Sequence, residues 1–351
     1  MSEDIGFGIV GAGMIAEFHA AAIVAVPGAK LRAVYARRPE AGAAFAEKHG
    51  CAAFDSLAAL AADPSVRAVC ITTPNGAHAE AAVPLLEAGK AVLCEKPLDI
   101  SLEAIRRILD AEKRGGGILA GVFQNRLGCG AGLLKHAIES GRFGRLTLCS
   151  AYIKWWRDQN YYDSSNWKGT WALDGGGALM NQGIHAVDLL QWLAGLPEEV
   201  SGFFGTLAHT GMEAEDTVVA ALRFPHGGLG VIEASTSSFP GSDLRIEIIG
   251  DRGSATLVND QITRWEFAEP EPGDEEIVNA GAPSEIGGGT SNPGAIKIEG
   301  HRRLIEDLVG AIRENRAPMI AGREAARSVA LALAIYETAR SGKVTKVVLE
   351  G

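Results

Sequence analysis

Lys96, His185 and Asn181 have side chains that could perform acid–base and electrostatic chemistry. Lys96 lies in the tripeptide Glu95-Lys96-Pro97, directly after an apolar stretch that predicts a short buried strand. Because ligands bind outside the carboxyl ends of the strands in open α/β sheets, this lysine is expected at a ligand site. A solvated Glu–Lys pair in a strand-to-helix turn is the alternative. We also expect the Lys96–Pro97 bond to be cis, a rare arrangement that would position the lysine.

His185 lies in a stretch that follows a run of glycines and has the apolar spacing of a helix. Asn181, His185 and Asp188 are spaced i, i+4 and i+7, so they share one face of that predicted helix. Histidine ordinarily titrates near neutral pH and is therefore suited to accept or donate a proton. A core histidine with satisfied hydrogen bonds is the alternative for His185.

The N-terminal residues form a dinucleotide-binding fingerprint. Residues 5–10 predict a strand, and residues 11–16 read G-x-G-x-x-A at the start of a predicted helix. Gly11 permits the tight turn, Gly13 lets the backbone approach a pyrophosphate, and Ala16 lets the helix pack on the sheet. The helix N-terminus offers N–H groups and a positive dipole end to the phosphates. We therefore predict a dinucleotide site.

The residues after the second predicted strand favour NADP over NAD. An acidic residue at this point ordinarily binds the ribose hydroxyls of NAD, whereas this chain has Ala36, Arg37 and Arg38. Arginine binds phosphate bidentately, and the usual repulsion against a 2′-phosphate is missing. Alternatively, Arg37 only stacks on the adenine and Arg38 is solvated.

A further strand end supplies polar groups for the same site. Thr73, Pro74 and Asn75 follow a predicted strand at residues 68–72, where a nicotinamide ribose would bind. His78 lies three residues farther on, at the start of a helix. It is either part of the site or a capping or packing residue.

The secondary-structure pattern changes after Phe123. Before it, strands and helices alternate, which predicts a doubly wound parallel sheet. After it, long alternating strands separated by turn residues predict a mostly antiparallel sheet with one face covered by helices. The expected fold is α/β, with a Rossmann domain at 1–123 that binds NAD(P) and an α+β domain at 124–351 for substrate binding and oligomerisation. Residues 268–298 are expected to form a mobile loop or extended arm.

The bulk properties exclude several classes of partner. A net charge of −10 on 351 residues argues against nucleic acid, whose phosphates need a basic face. No apolar run reaches the length of a bilayer span, and the acidic N-terminus lacks the order of a signal peptide. The five cysteines are scattered, which favours free thiols in a reducing cytoplasm. No spacing typical of metal ligands occurs, so no metal is expected.

A stretch rich in aromatic and polar residues lies between Trp155 and Trp171. It contains four of the six tryptophans. Flat apolar rings flanked by hydrogen-bonding groups suit the walls of a sugar pocket, and a lid packed on its own domain is the alternative. Within this stretch, Arg157 either binds a carboxylate or phosphate of the substrate or pairs with Asp158 or Asp163.

Several motifs, in this order and spacing, resemble those of the Gfo/Idh/MocA family, the group of glucose–fructose oxidoreductase and inositol dehydrogenase. The resemblance covers almost the whole chain and rests on Gly11-Ala12-Gly13-Met14-Ile15-Ala16, Thr73-Pro74-Asn75-Gly76-Ala77-His78, Glu95-Lys96-Pro97, the glycine-rich run into Gly183-Ile184-His185 with Asp188, and Gly322-Arg323-Glu324. It implies NAD(P)-linked oxidation or reduction at a hydroxyl of a carbohydrate, sugar derivative or cyclitol. It also implies a homodimer or homotetramer joined through the open face of the second sheet.

The resemblance maps the family's lysine on Lys96 and its helix histidine on His185. Many members have aspartate four residues before the histidine, where this chain has Asn181. Oxidising a secondary alcohol requires a base for the hydroxyl proton while hydride leaves the carbon for the nicotinamide. We expect His185 to be that acid/base and Lys96 to stabilise the developing alkoxide, with reversed roles as the alternative. Asn181 is expected to orient the histidine ring.

The expected site comprises the following residues. Cofactor contacts are expected from Gly11, Gly13, Met14, Ile15, Ala36, Arg37, Arg38, Thr73, Pro74, Asn75, His78, Glu95, Lys96 and Gln124, and substrate contacts from Lys96, Arg126, Trp155, Arg157, Trp167, Trp171, Asn181 and His185. The alternative functions are a glycoside-processing enzyme that uses tightly bound NAD in a transient oxidation, and a non-catalytic dinucleotide sensor.

Overall fold

The computed structural model describes residues 4–279 and 297–349, which form two units. The first unit contains the chain up to Phe123 and the segment Ile298–Ala326, and the second contains the rest. The change of unit after Phe123 coincides with the predicted boundary. The grouping differs from the expected division in one respect. Residues 298–326 belong to the first unit, whereas they were expected in the second domain.

The elements are numbered along the chain. The strands are β1 (Ile5–Val10), β2 (Ala29–Tyr35), β3 (Ala52–Phe54), β4 (Ala68–Ile71), β5 (Ala91–Cys94), β6 (Leu119–Gly121), β7 (Leu146–Lys154), β8 (Glu199–Gly205), β9 (Thr217–Arg223), β10 (Leu229–Ser235), β11 (Arg245–Gly250), β12 (Gly253–Val258), β13 (Gln261–Phe267) and β14 (Thr345–Lys346). The helices are α1 (Met14–Ala25), α2 (Pro39–His49), α3 (Leu57–Ala62), α4 (His78–Glu87), α5 (Leu102–Gly115), α6 (Cys129–Glu139), α7 (Gln159–Asp163), α8 (Ile184–Ala194), α9 (Asp274–Asn279), α10 (Glu299–Glu314) and α11 (Gly322–Ser341).

The first unit is built on a six-stranded parallel sheet in the order β3-β2-β1-β4-β5-β6. Strands β1, β4 and β5 are apolar and buried along their whole length, as expected for a parallel sheet covered on both faces. The strand order reverses between β1 and β4. The residues that follow β1, β4 and β5 therefore lie at one edge of the sheet, at the topological switch point.

The C-terminal segment joins the first unit through α10. This helix packs against α1, where the rings of His19 and His301 lie 4.9 Å apart in an edge-on arrangement. The residues after α10 also contact β6, where Gly121 donates its backbone N–H to the carbonyl of Ile320 at 2.9 Å. Long-range packing of this kind has no local signature in the sequence, which is why residues 298–326 were expected elsewhere.

The second unit is built on an eight-stranded sheet in the order β13-β12-β11-β7-β10-β9-β8-β14. Its pairs are antiparallel apart from β7 and β10, and α8 packs against β7 and β11. The predicted fold class is confirmed. The final predicted strand at 344–349 is shorter than expected, because only Thr345 and Lys346 pair, with Val200 and Glu199 of β8.

Two predicted elements need correction. The helix expected at 178–192 begins as a π-helix, Ala178–Gly183, before it continues as α8. The expected unstructured arm at 268–298 contains α9, where Asp274 bonds to Arg142 and to the ring N–H of Trp265. Residues 280–296 lie outside the described part of the chain. Within the described residues, no helix has the length and apolar character to cross a membrane.

Candidate active site

The loop after β1 has the geometry of a phosphate-binding turn. Gly11 has a φ of +104°, and a Cβ at this position would lie 2.8 Å from the carbonyl oxygen of Thr72. A Cβ on Gly13 would instead meet open space. Gly13 caps α1 without a side-chain hydrogen bond, so the first-turn N–H groups have no capping side chain. The turn therefore fits a diphosphate, and Met14, which is exposed, lies beside it.

The residues after β2 are open to solvent. Gly11 donates its N–H to the Tyr35 carbonyl at 2.8 Å, which joins the end of β2 to the phosphate turn. Ala36 is half-buried, while Arg37 and Arg38 are exposed. Their position after β2 agrees with the sequence prediction, and both guanidinium groups are accessible to a ligand.

His78 links the turns that follow β4 and β5. Its ring is buried, with Nδ1 2.8 Å from the Pro97 carbonyl oxygen and Nε2 3.0 Å from that of Thr73. Asn75 is also buried and begins a 3₁₀ turn. His78 therefore holds the backbone of both turns, and the packing interpretation accounts for its ring.

Glu95 belongs to a buried triad with two histidines. Its Oε1 lies 2.8 Å from Nε2 of His19 and 3.2 Å from Nε2 of His301, and its Oε2 accepts the N–H of Lys96. Burial acts to raise the pKa of the Glu95 carboxyl, but the bonds from His19 and His301 hold that pKa well below its usual range. Burial lowers the pKa of His19 against the attraction of Glu95. Glu95 therefore orients the start of the Lys96–Pro97 turn, and that bond is cis, as predicted.

The triad has a donor set that could ligate a metal ion. However, the Nδ1 atoms of His19 and His301 are buried without a hydrogen-bond partner, so each ring proton belongs on Nε2, facing Glu95. A metal would move that proton to Nδ1, where a ligating histidine ordinarily needs an acceptor. The geometry is that of a hydrogen-bonded triad. The triad has no local signal in the sequence, because His19 and His301 are 76 and 206 residues from Glu95.

In the second unit, Arg126 forms a buried ion pair with Asp188. Its Nε and Nη2 donate to the two carboxylate oxygens at 2.7 and 2.6 Å. The guanidinium group also lies over the ring of Trp192. Its charge is compensated by Asp188, an aspartate 62 residues away, and its assignment to the substrate site stays a prediction. Gln124 begins the 3₁₀ turn that contains Arg126.

Arg157 is a buried cation within the aromatic stretch. Only 6% of its surface is exposed, and its guanidinium carbon lies 5.4 Å from the ring centroids of both Trp155 and Tyr161. Lys168, which the sequence analysis did not single out, lies 3.8 Å from the centroid of the Tyr161 ring. Burial lowers the pKa of Lys168, opposed by Asp174 and assisted by Arg157. Two cations thus converge on one tyrosine.

The other tryptophans of this stretch have different environments. Trp171 packs edge-on against Tyr336 at 5.1 Å and under Arg340 at 4.4 Å, and its ring N–H donates to the Glu213 carbonyl. These contacts favour packing within the unit for Trp171. Trp167 is half-buried, and its carbonyl accepts a hydrogen bond from Thr170. Its assignment to the substrate site stays a prediction.

Asn181 and His185 lie on the π-helix and the first turn of α8, and both are half-buried. The amide Nδ2 of Asn181 donates to Oδ1 of Asp174 at 2.8 Å. Asp174 was not among the predicted site residues, although it lies only seven residues before Asn181 and directly before the glycine run. Asn181 therefore has a buried carboxylate as a partner.

The π-helix is held at its start by Glu215. This buried carboxylate accepts the N–H groups of Gly177 and Leu179 at 2.7 and 2.8 Å and the hydroxyl of Tyr336 at 3.0 Å. Burial raises the pKa of Glu215 to about 7 against these hydrogen bonds. The carboxylate therefore satisfies two of the N–H groups at the start of this helical segment, which otherwise have no partner within the helix.

Comparisons with known proteins agree with this geometry. The family model "Oxidoreductase family, NAD-binding Rossmann fold" matches residues 5–122, and "GFO/IDH/MocA C-terminal domain" matches residues 133–256. Inositol 2-dehydrogenase 2 of Saccharopolyspora erythraea is 31% identical over 82% of this chain and 88% of that protein. The chain belongs to the Gfo/Idh/MocA oxidoreductase family, as its motifs predicted.

Solved structures extend the likeness over the full chain. The WlbA dehydrogenase of Bordetella pertussis, in complex with NADH and UDP-GlcNAcA, is 35% identical with a TM-score of 0.89 and coverage of 100% of this chain and 99% of that chain. The WlbA enzyme of Chromobacterium violaceum, with the same ligands, is 33% identical with a TM-score of 0.89 and coverage of 100% and 98%. This protein is an NAD(P)-linked oxidoreductase that acts on a CH–OH group of a sugar or cyclitol.

Proposed function

We propose that the substrate is a nucleotide sugar with a uronic-acid carboxylate, of the UDP-GlcNAcA type. The buried Arg157, with Lys168 nearby across the Tyr161 ring, carries this proposal. A buried guanidinium group binds a planar carboxylate bidentately, and a neutral cyclitol offers it no such partner. The likeness to the two WlbA structures with UDP-GlcNAcA supports the same substrate class.

In the proposed reaction, a secondary hydroxyl of the sugar is oxidised to a ketone. The carbon–hydrogen bond breaks, its electron pair leaves as hydride to nicotinamide C4, and the hydroxyl proton passes to the ring of His185. Lys96 donates a hydrogen bond to the oxygen and stabilises negative charge as it develops. The Glu95 carboxylate accepts the Lys96 N–H and holds the lysine backbone for this role. Separate Lys96→Met and His185→Ala enzymes should each lose at least ~100-fold in kcat, and near-normal rates in both would refute the assignment.

We propose that NADP is bound at least as well as NAD. The neighbouring structures contain NADH, whereas the end of β2 here has exposed Arg37 and Arg38 and no carboxylate to repel a 2′-phosphate. Replacing both arginines with serine should raise KM for NADP and leave KM for NAD nearly unchanged. A strict preference of the native enzyme for NAD would overturn this part of the proposal.

We also propose that the enzyme is a homodimer or homotetramer assembled through the open face of the second sheet. Phe203 pairs directly with Val219, and Leu229 with Leu148, so these residues project from one face. Phe203 is 81% exposed, and the other three are also exposed. Large apolar side chains on one sheet face are typical of an interface between copies. A Phe203→Glu variant should dissociate in light scattering, and an unchanged mass would contradict this interface.

The experiment that tests the function is a substrate panel read by nicotinamide absorbance with both cofactors. UDP-GlcNAcA should exceed UDP-GlcNAc, which lacks the carboxylate, by ~100-fold or more in kcat/KM. An Arg157→Met variant should lose that discrimination. Higher activity on myo-inositol or free sugars would overturn the substrate class. Turnover without added cofactor would instead favour glycoside processing through a transient oxidation.

A further inference from the structure

His209 lies in a loop after β8 that wraps around the carboxylate of Asp216. Asp216 is fully buried, and its two oxygens accept the successive backbone N–H groups of Leu207, Ala208 and His209 at 2.9, 2.8 and 3.0 Å. Burial acts to raise the pKa of Asp216, but these hydrogen bonds and the one from the His209 ring hold that pKa below its ordinary value. Asp216 is therefore ionised, and its oxygens can only accept hydrogen bonds.

The ring of His209 lies between two hydrogen-bond acceptors. Its Nδ1 is 3.1 Å from Oδ2 of Asp216, and its Nε2 is 2.9 Å from the backbone carbonyl oxygen of Arg157. The side chain is only 5% exposed, and the ring of Tyr162 packs edge-on against it at 4.7 Å. A neutral imidazole has one N–H and one bare nitrogen, so it can donate to only one acceptor. Both contacts are hydrogen bonds only when His209 carries a proton on each ring nitrogen.

The bond from His209 completes the attachment of the Arg157 backbone. Arg157 donates its backbone N–H to the carbonyl of Thr236 at 2.8 Å, and its own carbonyl accepts from His209. These two bonds hold both peptide groups that flank Arg157. Its buried guanidinium group lies beside the rings of Trp155 and Tyr161. Because both peptide groups are held, the arginine side chain starts from a fixed direction, which favours bidentate binding of a planar carboxylate.

We propose that His209 is a positioning residue for substrate selection, because its doubly protonated ring joins the Arg157 carbonyl to Asp216 and so holds the guanidinium group that binds the sugar carboxylate. The inference rests on the proposed function, in which Arg157 binds that carboxylate. His209 itself does not touch the substrate. Its effect is therefore on the preference for a sugar that bears a carboxylate, and not on hydride transfer.

Two substitutions separate the two hydrogen bonds of the ring. The amide nitrogen of asparagine takes the place of Nδ1, so His209→Asn keeps the donor to Asp216 and loses the donor to the Arg157 carbonyl. The amide nitrogen of glutamine takes the place of Nε2, so His209→Gln keeps the donor to that carbonyl. We expect His209→Asn to lower the ratio of kcat/KM for UDP-GlcNAcA to kcat/KM for UDP-GlcNAc by ~10-fold or more, through KM for UDP-GlcNAcA. His209→Gln should retain most of the ratio, and both variants should keep the native kcat/KM for UDP-GlcNAc.

The matched control is Gln159→Ala. The Gln159 side chain joins the same two segments, because it donates to the Thr210 carbonyl at 2.8 Å and accepts the Thr210 N–H at 3.0 Å. The substitution removes these bonds and leaves the one between His209 and the Arg157 carbonyl in place, so the native ratio should be retained. A loss equal to that of His209→Asn would mean that any contact between the segments suffices, and it would overturn the specific role of His209.

Neutron diffraction from crystals of the native enzyme at neutral pH tests the protonation of the ring without any substitution. The method locates hydrogen positions that X-ray diffraction at ordinary resolution does not show. We expect deuterium on both ring nitrogens of His209. A bare Nδ1 or a bare Nε2 would overturn the inference, whatever the substrate of the enzyme.

Each kinetic outcome separates the inference from the proposed function. An Arg157→Met variant that kept the native ratio would place the carboxylate elsewhere, and the proposed site would then fail. A lost ratio in Arg157→Met together with a native ratio in His209→Asn would overturn only the role of His209. Equal losses in His209→Asn and His209→Gln would also overturn it. A fall in kcat/KM by the same factor for both substrates in His209→Asn would assign His209 a purely structural role.

Discussion

Glu95 in the first unit and Glu215 in the second are both buried carboxylates that hold a turn near a candidate site residue, yet their pKa values move in opposite directions. Burial acts to raise the pKa of both. At Glu95 the hydrogen bonds and charges of His19 and His301 outweigh burial. At Glu215 the partners are the N–H groups of Leu179 and Gly177 and the Tyr336 hydroxyl, and burial wins.

The difference lies in the kind of donor. At Glu95 two imidazole rings lower the pKa of the carboxyl through hydrogen bonds and charge interactions, whereas the backbone N–H groups and the phenol at Glu215 supply hydrogen bonds alone. Glu95 is therefore held as a carboxylate beside Lys96. Glu215 sits near the balance between its two protonation states at neutral pH. The two units therefore stabilise their turns by chemically different means. Measurements at different pH values and substitutions of each glutamate should distinguish the two contributions to stability.

The largest expected effect is that of Glu95→Ala. It leaves the buried Nε2–H groups of His19 and His301 without an acceptor, which should cost about 3–5 kcal/mol in the free energy of unfolding. Glu95→Gln keeps an oxygen acceptor and should lose less than half as much. Denaturant unfolding at pH 7 measures both. Equal stability of Glu95→Ala and the native protein would show that the triad does not stabilise the first unit.

The second effect is a pH dependence that Glu215 should impose. Because its folded pKa is about 7, above its ordinary value of 4.5, its stabilising contribution is fully present below pH 4.5 and is lost as pH rises through 7. The loss should amount to ~3 kcal/mol over this window. Glu95 has the opposite sign, since its lowered pKa gives stability above pH 4.5 that is lost in acid.

Glu215→Gln should remove the Glu215 component and leave that of Glu95. The measurement is the free energy of unfolding of both proteins from pH 5 to pH 8. The native protein should lose stability relative to the variant as pH rises. A difference between them that stays constant across this range would refute the raised pKa.

The same contrast shows what the sequence could and could not predict. The phosphate turn, the strand ends and the cis Lys96–Pro97 bond are local, because each depends on neighbouring residue types such as Gly11, Gly13 and Pro97. Their positions were therefore predicted correctly. The doubly wound sheet was also predicted correctly from a local signal, the alternation of short strands and helices along the chain.

The partners of the site residues were not predicted, because they come from distant segments. Arg126 meets Asp188, and Glu215 meets Tyr336, across 62 and 121 residues. No periodicity in the sequence indicates which distant residue will be the partner of a given buried charged group. Asp174 and Asn181 are close in sequence, but the intervening glycines adopt conformations, including a φ of +159° at Gly176, that no helical spacing anticipates.

The smallest expected effect tests the hydrogen bond that the Tyr336 hydroxyl donates to Glu215. Tyr336→Phe keeps the ring that packs on Trp171 but removes the hydroxyl, which donates to Glu215 at 3.0 Å and accepts from the Met180 N–H at 3.2 Å. With one donor fewer, the pKa of Glu215 should rise further, so the pH-dependent loss of stability should extend to higher pH. The cost at pH 8 should be about 1 kcal/mol.

The matched control is Tyr162→Phe, because the buried Tyr162 hydroxyl bonds to the Thr236 hydroxyl at 2.8 Å. It should cost a similar free energy at every pH, since its hydrogen-bond partner is not a carboxylate. Unfolding curves of both variants at pH 5 and pH 8 make the test. If Tyr336→Phe were as independent of pH as Tyr162→Phe, the hydroxyl would act only as a structural hydrogen bond. Glu215 would then owe its pKa to burial and the backbone N–H groups alone.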